Sequence, residues 1–232
     1  MRSTWRTLQG VNIRDIALVC LADALVGASF GAISVAADLP LWLPVVMSLV
    51  VFAGSSQFIF VGILAVGGNP VAAVASALLA NVRLVPLGFS IGAVFENVSP
   101  MKRLLGTHLI TDEAVAFTVA EKDEGGRRTA FWLCGIGLFV TWNIGVAIGT
   151  LAGGAITNTA ALGLDAAFPA ILLGLIMPAL RDRTTRNAAL AGAVIALIAS
   201  MFLPSGLPVL LSLIAVVPAM LSTAPGTQKE PA

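Results

Sequence analysis

Three groups of polar side chains sit where a chain this apolar has no ordinary use for them. The first is Gly54-Ser55-Ser56-Gln57, from "VFAGSSQF", in the middle of Leu41–Val66, a run without a single charge. An unpaired polar group is costly in hydrocarbon, so the Gln57 amide must be shielded from lipid. Glycine lets a helix loosen there, and a helix broken at mid-membrane can hold the charged groups of a substrate. Close helix packing explains Gly54 and Ser55 as well, because small residues let helices approach, but it accounts less well for Gln57. The second group is Asn81 and Arg83, in "ANVRLVP", about halfway through Val71–Phe95. A central arginine costs about 3 kcal/mol unless it is paired or hydrated. Its fork suits a carboxylate, either a substrate's or one of the protein's own in a purely structural ion pair. The third group is acidic. Asp23 lies inside the first apolar run, in "LADALVGASFG", and Asp112 and Glu113 follow His108 in "HLITDEA". An intramembrane Asp can carry a coupling proton or neutralise Arg83. His108 and Asp112 share a helix face, with Glu113 turned away by about 100°. The trio could relay protons or sit at an interface in contact with water.

The elements that must position these groups follow from composition. The chain has 232 residues, 58% hydrophobic and 11% charged, with a mean hydropathy of +0.97. A soluble domain carries about a quarter of its residues charged, so most of this surface faces something other than water. Ile16–Ala37 and Val71–Phe95 hold one charge each. Leu41–Val66, Thr129–Leu164, Ala166–Leu180, Asn187–Leu203 and Gly206–Thr223 hold none. Such runs are long enough to span a bilayer as helix. No strand-like alternation supports a barrel. The fold class is therefore all-α, a polytopic membrane bundle with some helices broken at mid-membrane. Ile16–Ala37 is too long for a signal h-region and carries Asp23, so it reads as a retained span.

Net charge of +1 gives no reason to expect nucleic acid. Cys20 and Cys134 lie in predicted spans as small buried hydrophobes, and one histidine without a cysteine cluster speaks against a metal site. No cofactor and no catalytic residue is expected. Seven clear segments leave one ambiguous stretch, Leu104–Ala120. If it crosses with the N-terminus inside, ten Lys and Arg fall inside, while only Lys102 and Arg103 fall outside. The positive-inside rule then favours eight crossings with both termini cytoplasmic. Residues 1–223 form one transmembrane domain, and 224–232 form a polar, disordered cytoplasmic tail. Pro70 is placed near the first position of its helix, and Pro86 is expected to kink the same span. Trp5, Trp42 and Trp132 are interfacial anchors. Asn143, in "VTWNIG", reads as packing glue, although its segment weakly echoes "FAGSSQF".

"SLVVFAGSSQF", "ANVR" and "HLITDEAVAF", in this order and spacing, resemble the AzlC family of branched-chain amino-acid permeases. The resemblance is strongest from Ser48 to Phe117. It implies an inner-membrane exporter of branched-chain and related hydrophobic amino acids, driven by a proton gradient, with a small AzlD-type membrane subunit as partner. By the same resemblance Gly54, Ser55, Ser56 and Gln57 form a substrate-region motif. Asn81 and Arg83 match the family's Asn-x-Arg, and Asp112 and Glu113 match its acidic pair. Asp23 stands where relatives often have Pro, which brings a new position into proton coupling. Leu84 stands where they often have His or an aromatic. Two other classes stay open: an intramembrane hydrolase using Ser55 or Ser56 with His108 as base, and a passive channel or scaffold subunit.

Overall fold

The computed structural model describes residues 13–155, 177, 179–203, 207–216 and 218. Trp5, Arg2, Arg6, the run Ala166–Leu180 for the most part, and the 224–232 tail lie outside the described residues. Among the described residues the chain is helical with no strand, an all-α membrane bundle. In order the helices are α1 (Ile13–Ala36), α2 (Trp42–Val50), α3 (Gly54–Ala65), α4 (Pro70–Asn81) and α5 (Leu84–Ser90). There follow α6 (Pro100–His108), α7 (Asp112–Ala120), α8 (Glu124–Ala155), α9 (Arg183–Ser200) and α10 (Leu207–Ser212). Among the described residues three helical stretches are long and apolar enough to cross a bilayer: Ile13–Ala36, Pro70–Ser90 and Glu124–Gly154. Large apolar side chains such as Leu25, Leu78 and Ile148 face outward, as a lipid solvent permits.

The scaffold is a seam between α1 and α8. Ala24, Ala28 and Ala32 pack in turn on Gly145, Gly149 and Gly153, so the paired numbers rise together and the two helices run parallel. A side chain at Gly145 or Gly149 would overlap a carbonyl oxygen of α1, and one at Gly27 would meet the Trp142 carbonyl at 2.8 Å. These small residues bring backbones together where no hydrophobic force between helices is available.

Between the two seam helices, one element crosses and two turn back. The α4–α5 pair crosses. Its joint keeps helical angles at Val82 (φ −55, ψ −28) and Arg83 (φ −59, ψ −25), so the chain kinks without reversing. Pro86 has no N–H for the Val82 carbonyl, and Val85 N donates to it instead at 3.1 Å. Asn69 caps α4 ahead of Pro70 by accepting from Val71 N at 2.8 Å, as the sequence places it.

The α2–α3 pair reverses. Leu41 lies beside Gly154 at the end of α8, Ser48 bonds Asn143, and Phe52 packs on Phe139. The descent along α8 stops there. Gly54 is back beside Trp142, and Phe58 packs on both Trp142 and Phe30. Phe52 makes the turn with φ 40, a left-handed angle that costs a bulky residue energy, and Ala53 follows at φ −146, ψ 83. The α6–α7 pair does the same from the opposite end. Arg128 Nη2, near the start of α8, donates to Glu96 O at 3.1 Å, and Phe95 meets Phe131 at 5.2 Å. Leu109 reaches Gly135, and α7 then returns to Glu121, three residues before α8 begins.

Two expected crossings, at Leu41–Val66 and Leu104–Ala120, are therefore re-entrant hairpins. Each covers the residue length of one span but reverses halfway. The six basic residues outside Arg83 between 13 and 155 all fall at the end where α8 starts: Arg14, Lys102, Arg103, Lys122, Arg127 and Arg128. The turns at the other end, 37–41 and 66–69, hold only Asp38.

Candidate functional site

The tips of the two hairpins and the kink of α4–α5 come to one place. Residues 51–53, 82–83 and 109–111 are the three interruptions, and all three border a cavity of about 390 Å³ against α1 and α8. Arg83 leaves the kink to bridge the hairpins. Its Nη2 is 2.9 Å from Asp112 Oδ2 on α7 and donates to Ser55 Oγ on α3 at 2.8 Å. The Arg83 and Asp112 side chains are each about half exposed, at 50% and 45%, and both border the cavity, so the pair is not sealed in a dry helix contact. Its net strength is correspondingly modest.

Asp23 from α1 and Glu113 from α7 border the same cavity. One oxygen of Asp23, Oδ2, is buried without a hydrogen-bond partner among the described residues. The cavity thus holds three carboxyls against one guanidinium. A bound cation, an ammonium group or protons must offset the excess if all three are to stay there together. The two helix starts differ. Thr111 caps α7 by accepting from Ala114 N at 3.1 Å, and Asp112 and Glu113 fill its first turn. In contrast α3 begins at Gly54 with no side-chain cap and no acid in its first turn. Its leading N–H groups have no intrahelical acceptor and lie at the positive end of the helix, which favours an anion. The remaining wall is apolar and includes Val19, Val26, Phe58 and Leu138.

A family model described as "AzlC protein" matches residues 18–156, which contain every element of this site. The chain belongs to the AzlC family. It is 30% identical over 142 residues to the inner membrane protein YgaZ of Escherichia coli (strain K12), covering 59% of this chain and 55% of the relative. The chain thus spans about half the length of the curated relative it matches. No solved structure matches it.

Within this AzlC chain the structure sorts the residues singled out from sequence. Gly54, Ser55, Arg83, Asp23, Asp112 and Glu113 border the cavity. Ser56, Gln57 and Asn81 are not among its lining residues. Ser56 Oγ donates to Ala53 O at 2.8 Å, and Gln57 Oε1 accepts from Ala53 N at 3.3 Å. Both side chains thus tie down the backbone of the turn that Phe52 makes. Gln57 Nε2 and Asn81 Oδ1 stay buried without partners among the described residues. His108 Nε2 lies 3.0 Å from Leu49 O, a carbonyl that the break in α2 leaves without its helical donor. With Ser55 bound to Arg83 and His108 to Leu49, the geometry gives a Ser–His hydrolase no nucleophile–base pair among the described residues.

Trp142 and Thr111 are site residues that the sequence reading passed over. Trp142 is 3% exposed, stacks on Phe30 at 6.0 Å, and borders the cavity with its indole N–H unpartnered among the described residues. A tryptophan centred in an apolar span, away from both interfaces, was the available signal. Asn143, by contrast, is helix glue as expected: Ser48 Oγ donates to its Oδ1 at 2.6 Å. The structural counterpart of the "FAGSSQF" hairpin is α6–α7, not the Asn143 segment of α8.

Proposed function

We propose that this chain is a secondary transporter that exports branched-chain or other hydrophobic L-amino acids across the inner membrane, coupled to protons. The observation that carries the reading is one open cavity in which Arg83, three carboxyls and an aliphatic wall meet an uncapped helix start. A zwitterion needs that combination. Its carboxylate goes to Arg83 and the first N–H groups of α3, and its ammonium to Asp23 or Glu113. An aliphatic side chain lies against Val19, Val26, Phe58 and Leu138. Protons enter through the carboxyls of Asp23, Asp112 and Glu113, because a proton and an ammonium group offset the same negative charge. Gly54 and Ser55 belong to the binding surface, while Ser56, Gln57 and Asn81 support it from behind. The basic end of the bundle faces the cytoplasm by the positive-inside rule, with both termini there. A small AzlD-type membrane subunit is the proposed partner, with lipid around both.

The test is export of L-valine from proteoliposomes at matched protein content. Loss of one charge-assisted contact worth about 1.5–3 kcal/mol lowers flux by roughly tenfold or more. Arg83→Ala and Asp23→Asn should each show it. Wild-type flux from Arg83→Ala would remove the site assignment, and flux indifferent to the proton gradient would favour a passive channel.

A further inference from the structure

In this structure the arginine already has an anion. Arg83 Nη2 is held by Asp112 Oδ2 at 2.9 Å, while its other contact, Ser55 Oγ, is neutral. We propose that Asp112 is a built-in competitor that occupies the place of a substrate carboxylate at Arg83 and is displaced when substrate binds. The proposal rests on the amino-acid reading above and assigns one of its three carboxyls a different task.

Three features of the site carry it. The pair is half exposed on both sides, so an incoming carboxylate can reach it, and such pairs exchange at little cost. The arrival side is prepared: α3 starts with no side-chain cap and no acid in its first turn, so its leading N–H groups have no intrahelical acceptor. The departure side is prepared as well. Once released, Asp112 stays in the first turn of α7, beside the Thr111 cap, where the helix start favours its charge. A carboxylate arriving from solution therefore finds donors that Asp112, fixed to α7, does not use.

The exchange also has a mechanical result. Arg83 ties α7 to α3, and Asp112 is its attachment on the α7 side. Among the described residues the other polar tie between the hairpins, His108 Nε2 to Leu49 O, joins α6 to α2. Displacement of Asp112 frees the α7 side of one hairpin while the α6 side stays anchored. Asp23 and Glu113 keep the excess negative charge of the cavity and meet the ammonium or the proton.

The experiment measures equilibrium binding of L-valine and of L-valinamide, which has the ammonium but no carboxylate, to the full chain in lipid nanodiscs. Removing the competitor with Asp112→Asn should tighten valine binding about fivefold, the scale of a partly exposed ion pair, and give valinamide no gain. A merely structural role for Asp112 would weaken both ligands together. Unchanged or weaker valine binding in Asp112→Asn, with the wild type binding valine normally, overturns the competitor role and leaves the transporter reading intact. If the wild type binds neither ligand, the amino-acid reading itself falls and this inference with it. Should Asp112→Asn fail to fold, Asp112→Ser, which keeps a helix-start residue type, gives the same comparison.

Discussion

A cysteine at Lys102 should react with a membrane-impermeant maleimide from the same side as a cysteine at Lys122, and from the side opposite to a cysteine at Val66. Helix α6 has nine residues and so rises about 13.5 Å, less than half of a hydrocarbon core of about 30 Å. Leu109 meets Gly135, which lies about 16 Å along α8 from Glu124, and there the chain turns. Nine residues of α7 bring it back to the start of α8. Eight crossings would instead part Lys102 from Lys122 and place Val66 on the Lys122 side. The assay uses right-side-out and inside-out vesicles in parallel. The native thiols give little background, since Cys20 is 7% exposed and Cys134 fully buried. Near-complete labelling of Lys122→Cys and Val66→Cys from one side, with Lys102→Cys reacting only from the other, would refute the hairpins at Leu41–Val66 and Leu104–Ala120.

Two further outcomes follow from the same coordinates. Gly149→Ala forces a methyl into the Ala28 carbonyl and must push α1 from α8. Overpacking of this kind costs about 1–3 kcal/mol, to be seen as a lower melting temperature in detergent and lost valine binding, whereas Gly154→Ala, with 3.5 Å to Leu41, should be neutral. At the start of α9, Asp182 accepts from Thr185 N at 2.7 Å, and this bond holds its carboxyl below the ordinary range. A depressed folded value means that the cap stabilises above the unfolded value and fades as pH falls through the folded one. Acid melting curves should therefore show wild type losing stability relative to Asp182→Asn, which caps without titrating.

The chemistry of the site was more legible than its path. Arg83, Asp112 and Asp23 announce themselves because ionisable groups in apolar runs need partners, and the structure gathers all three around one cavity. Gln57 carried the same signal for a different reason, since it braces the Ala53 turn without bordering the cavity. Direction was not legible. Hydropathy measures how much chain is apolar, and Leu41–Val66 contains enough for one passage, yet the reversal falls on Phe52, an aromatic with no turn signature. Its left-handed backbone is held by tertiary contacts with Phe139 and His108. The two misplaced crossings offset one another, so α8 begins on the expected side. They also move Lys102 and Arg103 to that side, where the other basic residues between 13 and 155 outside Arg83 already lie.

The order in which this protein can be built is constrained by the non-helical residues 109–111 at the α6–α7 tip. Open backbone is not tolerated against lipid, and Gly135 of α8 shelters this stretch at Leu109. That wall is synthesised after the hairpin it protects, and α1 likewise waits for the glycines that seat it. Biogenesis must therefore hold the early helices together, or hold the hairpin at the surface, until roughly the 150th residue has left the ribosome.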